Sequence, residues 1–425
     1  MDSNLLRQLK AVDWDFPRDD SESSRSIHWY PGTFPAQLPG TLVEALSDAD
    51  SLVFDPYGGI GTTAVEALRL GRKAWCVDQN PIGNLAAYVM SGLILAKGMG
   101  FPMYLSTLVA VERMLGGPLL QSDLFTFSDE HAIDIELEKL IRPTPADMLA
   151  AISSSTAPSW NLLSPWFETS TLKVVKKTHS RLLSSEVSDF GKLVGLLMIS
   201  ASLRPASSQT RSWGHIADNV LPDEYEQKDF HQLCKRWLFR VCGALARAQV
   251  AKMTVGQKHA IRVWVSSHDW RTDKLPLVRP TRKCDLLITS PPYSGAIDYT
   301  RAQRLSLYLL GFDDSSISAM GQHEIGARRK RSSVLSESTW ADELGEGLRT
   351  QLDFVTSEAP IVFVLPHEDH GREGGSLRLG EVLRLAGWRK TYSVDRSIRK
   401  LRARQSWTSI NRETLEVFQK AGTQS

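Results

Sequence analysis

The sequence predicts an α/β protein, a mostly parallel sheet covered by helices and interrupted by a helical insertion. Three observations predict it. Ser51–Asp55 reads as a strand that runs into Pro56-Tyr57-Gly58-Gly59-Ile60-Gly61-Thr62-Thr63, then a helical stretch, then a second strand that ends in Asp78. Far downstream, Asp285-Leu286-Leu287-Ile288-Thr289 reads as another buried strand and stops at Ser290-Pro291-Pro292-Tyr293. Between the two, residues 98–256 lose the strand–helix alternation and carry helical patterns instead.

Residues 1–26 end in Ser-Glu-Ser-Ser-Arg-Ser and read as a flexible lead-in. The next stretch, His28-Trp29-Tyr30-Pro31-Gly32-Thr33-Phe34-Pro35-Ala36-Gln37-Leu38-Pro39, has too many prolines for a helix. Its aromatics pack either as an arm latched to the domain surface or as a wall of a ligand pocket. Gly40–Leu46 reads as a short helix. In the glycine segment, Gly58, Gly59 and Gly61 let a backbone approach a ligand closely at the start of the helix Ala64–Leu70, which Gly71 stops. Lys73–Asp78 is the following strand, and its terminal acid lies about seventeen residues past Gly61. A carboxylate there can accept hydrogen bonds from ribose hydroxyls. The spacing is neither G-x-G-x-x-G nor a Walker loop. Asn80-Pro81 opens a helix through about Leu95.

Within the insertion, helical patterns run Phe101–Met114, Glu136–Ile141, Thr171–Leu183 and Phe190–Leu203. A long amphipathic stretch spans Asp223–Met253, with Phe230, Leu233, Trp237, Leu238, Val241, Leu245 and Ala248 at steps of three and four. Trp160, Trp166 and Phe167 read as core. The loop Ser207–Trp213, with Arg211, is either a solvated turn or a nucleic-acid contact.

Alternation resumes with the strand Ala260–Val265, which ends near His268-Asp269. Asp269 reads as a strand-end cap or a contact to a bound nucleoside. The two prolines after Ser290 cannot continue a strand, because neither offers an N–H. The chain must turn there, bringing a hydroxyl, a carbonyl and an aromatic face to one point that suits a flat ring bearing an amino group. Ala296–Leu310 is helical, with Tyr299, Leu305 and Leu309 inward. Arg328-Arg329-Lys330-Arg331 is a compact basic loop, solvated or in contact with phosphate. A strand at Pro360–Leu365 precedes a Gly-rich loop with His367 and His370; no further ligands cluster with them, so no metal site is expected. A helix Leu377–Leu385 follows, then a final hairpin of Lys390–Val394 and Thr414–Phe418. Arg396, Arg399, Lys400, Arg402, Arg404 and Arg412 between them suggest a second basic surface.

The totals narrow the class. At 42% hydrophobic and 23% charged, the 425-residue chain has the composition of a globular protein and not of a disordered one. A net charge of +2 does not mark a nucleic-acid binder, so any such surface must be local. Cys76, Cys234, Cys242 and Cys284 form no C-x-x-C pair and read as reduced thiols. No apolar h-region opens the chain, and no stretch reads as long enough to span a bilayer, which points to a cytoplasmic protein without a membrane partner.

These segments together resemble the amino-group DNA methyltransferases that use S-adenosylmethionine. Their glycine motif, roughly D-P-F-x-G-x-G-T-T, matches Asp55–Thr63, with Tyr57 in place of Phe. Their catalytic motif, (D/N/S)-P-P-(Y/F), matches Ser290–Tyr293, here within a T-S-P-P-Y run. The arm matches H-x-Y-P-x-x-F-P at His28, Tyr30, Pro31, Phe34 and Pro35, and Ala296–Tyr299 matches an A-I-D-Y stretch. The likeness covers about residues 27–97 and 258–420.

The resemblance implies a Rossmann-like class I methyltransferase fold with seven mostly parallel strands, one of them antiparallel. Residues 1–97 would hold the arm and the cofactor-binding part, 98–256 the target-recognition insertion, and 257–425 the catalytic part. The resemblance assigns cofactor contacts to Tyr30, Phe34, Asp55, Tyr57, Gly59, Gly61, Thr62, Thr63 and Asp78, and Asp269, by its place at a strand end, is a further candidate for the adenine of the cofactor. It assigns catalysis to Ser290, Pro291, Pro292 and Tyr293, which would hold a flipped base and its amine. Double-stranded DNA is the implied partner, with Arg211, Arg328, Arg329, Lys330 and Arg331 as candidate contacts. The sulfonium donor is already activated, so no metal is implied. Serine at position 290 is more typical of cytosine-N4 enzymes, Asp or Asn of adenine-N6 enzymes. An RNA methyltransferase and a catalytically silent binding subunit remain alternatives. No nuclease motif stands out, so any cleavage would come from a cognate restriction endonuclease or a defence-system subunit.

Overall fold

The computed structural model describes residues 3–16, 27–115, 132–153, 157–209, 211, 213–272, 274–294, 298–326, 336–367, 373–398 and 411–420. Its centre is one eight-stranded sheet. The strands are β1 (Leu52–Asp55), β2 (Lys73–Asp78), β3 (Ile141–Arg142), β4 (Val263–Ser267), β5 (Leu286–Thr289), β6 (Ile361–Pro366), β7 (Trp388–Ser397) and β8 (Arg412–Lys420). They lie in the order β3-β4-β2-β1-β5-β6-β8-β7. All neighbours pair parallel except β8, which is antiparallel to both β6 and β7.

Seven strands were expected and eight are present. The additional one is β3, two residues contributed by the insertion, which extend the β4 edge through Ile141 opposite Val263 and Arg142 opposite Trp264. Ile141 therefore ends in the sheet and not in a helix; the helix before it stops at Glu138.

Helices on both faces explain the strand sequences. The four residues of β1 and of β5 are all buried, so each strand reads as three consecutive apolar residues closed by one buried polar residue, Asp55 or Thr289. Alternate side chains divide between two cores. Val53, Ala74, Val263, Leu286, Ile288 and Val362 belong to one. Leu52, Phe54, Trp75, Leu287, Ile361 and Phe363 belong to the other, beneath helices Ser336–Leu352 and Glu373–Leu385. There Phe54 stacks on Trp75 with ring centres 4.4 Å apart.

The insertion packs onto the first core by way of helix Pro81–Met99, begun by Pro81 and capped by Asn80, whose Oδ1 accepts from Ile82 N at 3.0 Å. By length and composition this helix could cross a membrane, contrary to the expectation that no stretch is long enough. In the fold it is enclosed, with every residue from Ile82 to Ala96 buried. Helix Asp189–Ala206 lies on it so closely that a Cβ at Gly92 would sit 2.4 Å from the Phe190 ring. Trp166 and Phe167 are buried in the same core.

Three more expectations change. Ser3–Ala11 is a helix, not a lead-in: Leu9 and Trp14 are buried, and Trp14 Nε1 lies 3.0 Å from Tyr392 Oη on β7. The stretch Asp223–Met253 is helical only over Phe230–Arg247, because Asp229 caps its start by accepting from Gln232 N and the backbone turns extended at Ala248. The single helix expected over 296–310 is two, Tyr299–Ala302 and Arg304–Leu309, divided at Gln303. Residues 296 and 297 lie outside the described residues.

Because Phe190 fills the space over Gly92, Phe190→Ala should cost about 3–5 kcal/mol and lower one shared unfolding transition. Denaturant unfolding followed by tryptophan fluorescence and by far-ultraviolet dichroism checks this. Two separated transitions would show that the insertion is an independent unit.

Candidate functional site

Chain direction across the sheet reverses at β1: the chain passes from β1 to β2 on one side, and β5 pairs on the other. In open α/β sheets the crevice beyond the carboxyl ends of two such strands is where ligands bind. The glycine segment leaves β1 at this point and Ser290–Tyr293 leaves β5.

Asp55, at the end of β1, joins them. Its Oδ2 accepts from Thr63 Oγ1 at 2.6 Å, and its Oδ1 accepts from Thr289 Oγ1 at 2.7 Å and from Tyr57 N at 3.2 Å. Burial pushes the carboxyl up from 3.8 to about 6, against the three hydrogen bonds, which favour the charged form.

The glycine loop curls over the end of β2. Gly58 N donates to Val77 O at 2.9 Å, and Gly59 N donates to Asp78 Oδ2 at 2.8 Å. Asp78 Oδ1 accepts from Asn80 N at 2.8 Å. Burial pushes the Asp78 carboxyl up, and these backbone donors oppose it. Two glycines are required by close approach. A Cβ at Gly58 would lie 2.2 Å from Cys76 Sγ. One at Gly61, where φ is +79°, would lie 2.7 Å from Ala87 Cβ and 2.8 Å from its Cα. Thr62 opens the helix Thr62–Arg69 and is buried.

The arm does two things. His28 is buried, with Nδ1 2.8 Å from Trp29 O and Nε2 2.9 Å from Ser200 Oγ on helix Asp189–Ala206, and burial lowers its pKa to about 4. Tyr30 instead faces the loop. A Cβ at Gly59 would lie 3.2 Å from its ring, and its other side stacks on Tyr299 at 6.1 Å between ring centres. Burial, then the charge of Asp78, pushes the Tyr30 phenol up. Phe34 is half-buried.

Tyr57 and Asp269 lie on the far side of β1, toward helix Ser336–Leu352. A Cβ at Gly347 of that helix would sit 2.9 Å from Tyr57 Oη. Burial alone would raise the Asp269 carboxyl, but Arg271 grips both its oxygens, at 2.9 and 2.7 Å, and holds it below the usual range. Arg271 also reaches Glu343 at 3.1 Å.

At the second motif, Ser290 Oγ donates to Tyr293 Oη at 3.0 Å. Tyr293 Oη lies 3.0 Å from Glu413 Oε1 and 3.3 Å from Val364 O. Trp340 Nε1 donates to Pro292 O at 2.8 Å and anchors the turn. The insertion reaches this edge: Ala217, from the short helix Trp213–Ala217, clusters with Ala302, Trp29, Tyr293 and Tyr299.

Arg211 is exposed and pairs with Asp223. Arg328, Arg329, Lys330 and Arg331 lie outside the described residues, as do His370, Arg399, Lys400, Arg402 and Arg404. Arg396 does not join a basic surface: it is buried against Glu413, and Arg412 pairs with Asp395 at 3.2 Å. His367 Nδ1 is 3.2 Å from Asp395. Among the described residues, no group of three or more His, Cys, Asp or Glu gathers as a metal site. Thr289, Trp340 and Glu413 were missed. Thr289 sat inside the motif with a hydroxyl as its only signal, while Trp340 and Glu413 meet the motif from distant parts of the chain.

Residues fitting S-adenosylmethionine surround Asp78. Asn80 Nδ2, Asn84 Oδ1 and His268 Nε2 are buried polar atoms without a hydrogen-bond partner among the described residues. Asn84 Nδ2 and His268 N both bond Asp78 O, so all three belong to the neighbourhood of that strand end. Such atoms are satisfied by ordered water or by a polar ligand.

Residues 6–83 match the family model N6_N4_Mtase, described as DNA methylase. The match spans the greater part of the N-terminal helix, the arm, the glycine loop and Asp78. No curated protein matches the chain. The match supports placement in the amino-group DNA methyltransferase family, and with it methyl transfer to DNA. That family generally uses S-adenosylmethionine.

Asp55 has a pH signature. Below about pH 4 its carboxyl is protonated in both folded and unfolded chains. Between 3.8 and about 6 the unfolded chain loses the proton first, so folding weakens as pH rises, then levels off. In Asp55→Asn this contribution is absent. Denaturant midpoints from pH 4 to 7 should therefore give a wild-type minus variant difference that falls up to pH 6 and is flat above. A difference constant throughout would refute the buried-carboxyl assignment.

Proposed function

We propose that this chain is a site-specific, S-adenosylmethionine-dependent DNA methyltransferase acting on an exocyclic base amine, cytosine N4 in the first place. One observation carries the reading: Asp55 bonds the glycine loop through Thr63 and the Ser290 strand through Thr289, so a donor site and an amine site share one carboxylate.

When bound, S-adenosylmethionine supplies an electrophilic methyl group on a sulfonium. Asp78 is suited to ribose hydroxyls, since its carboxylate, held by backbone donors that include Gly59 N and Asn80 N, closes β2 beside the glycine loop. Tyr30 walls the loop, and Asp269, both of whose oxygens are held by Arg271, is the proposed contact to the nucleoside. An amine conjugated to a base ring is a weak nucleophile. Ser290 Oγ and the Pro291 carbonyl accept its two hydrogens, drawing the nitrogen toward tetrahedral geometry. The Tyr293 ring offers the stacking face for the flipped base. Positioning supplies most of the rate. Residues 98–256 are the proposed target reader, supported by the approach of Ala217 to Tyr293 and Tyr299. Serine at 290 favours cytosine over adenine.

Expression in a host free of its own methylation, followed by sequencing for modified bases, tests this. N4-methylcytosine in one sequence context is expected; N6-methyladenine would move the target base. A protein that binds S-adenosylmethionine yet modifies no DNA would overturn the reading in favour of RNA or a silent subunit. Ser290→Ala should retain cofactor binding and lose about two orders of magnitude in transfer. Near-normal turnover in that variant would remove Ser290 from the mechanism.

A further inference from the structure

A serine hydroxyl can either donate to or accept from its neighbour, and only one of these suits an amine. Ser290 does not choose freely. Its Oγ is 3.0 Å from Tyr293 Oη, which is 3.0 Å from Glu413 Oε1 and 3.3 Å from Val364 O. An ion-paired carboxylate and a backbone carbonyl have no proton to give. The single Tyr293 proton must therefore point toward them, and the Tyr293 oxygen can only accept from Ser290. The Ser290 proton is committed inward, and the oxygen keeps only lone pairs for anything that arrives.

We propose that Glu413 is a positioning residue: it fixes the direction of the chain Ser290 to Tyr293 to Glu413 and so makes the Ser290 oxygen a pure acceptor for the target amine. This rests on the methyl-transfer reading above. The support behind Glu413 is built in. Arg396 pairs with it, and both side chains are nearly enclosed, at 4% and 11% exposure. Arg396 Nε donates to Trp14 O at 3.0 Å, and Trp14 Nε1 lies 3.1 Å from Leu9 O. The N-terminal helix thus braces the far end of the chain, some 400 residues away in sequence from Glu413. Burial first, then the charge of Glu413, also pushes the Tyr293 phenol well up, as expected for a phenol held to a carboxylate.

Glu413→Gln replaces the obligate acceptor by a group that can turn an N–H toward Tyr293. Methyl transfer should fall roughly tenfold or more, in kcat, with S-adenosylmethionine affinity unchanged. Tyr293→Phe cuts the chain, so adding Glu413→Gln to it should cost nothing further, whereas additive losses would show Glu413 acting elsewhere and overturn the proposal. If Glu413→Gln does not fold, Arg396→Met with Glu413→Met removes the ion pair as a unit and should show the same loss. A readout independent of activity is the 13Cζ resonance of Tyr293, assigned by its disappearance in Tyr293→Phe. It should move in both Ser290→Ala and Glu413→Gln. A resonance unmoved in Glu413→Gln overturns the chain whatever the wild type modifies. Wild-type transfer rates in Glu413→Gln overturn the positioning role and leave the methyltransferase reading intact.

Discussion

The Asp55 carboxylate is the constraint on which the rest of the site depends. It is one buried group with three donors, drawn from the glycine loop, the helix behind it and the strand that ends in Ser290. Burying a carboxylate costs free energy unless donors surround it. Here the donors come from three separate segments, so satisfying the charge forces those segments together. The relative position of the two motifs therefore follows from the pairing of β1 with β5 and from the direct bond of Thr289 to Asp55.

Around that point the fold adds two braces of different kinds. One is steric: Gly58 and Gly61 leave no room for a Cβ beside Cys76 and Ala87, which presses the loop flat onto β2 and helix Pro81–Met99. The other is polar: the arm hooks into the insertion through His28 and Ser200, with Tyr30 presented on its opposite side. The insertion is thus bound to the site twice, through the arm and through Ala217, and shares the core beneath it.

The two ends of the chain also meet at the site. Trp14 and Arg396 bond each other, and Arg396 carries Glu413 to the Tyr293 hydroxyl. A segment that looks dispensable by position, residues 3–16, buttresses the turn at Ser290–Tyr293 through Arg396 and Glu413. The family match beginning at residue 6 takes in the greater part of this helix as well as the glycine loop.

By itself the sequence determined the central strands β1, β2, β5 and β6 to within a residue, whereas β4, β7 and β8 begin and end two or three residues from where the pattern puts them. β2 and its terminal Asp78 were legible because a continuous apolar run closing on an acid has few other uses, and the Pro-Pro pair after Thr289 has to end a strand wherever it occurs. The glycine loop was legible for the same local reason. Tertiary structure alone decided what crosses between segments. Nothing near Glu413 marks it as the partner of Tyr293, since it follows an ordinary arginine in an ordinary strand; the antiparallel register of β8 beside β6 places it there. The eighth strand, Ile141–Arg142, is too short to show a period and exists only because the β4 edge accepts it. Arg396, counted from sequence with a basic surface, is instead enclosed by Trp14 and Glu413. Backbone periodicity and proline chemistry act over a few residues and can be read along the chain, whereas the pairing of buried charges is decided only when distant segments are packed side by side.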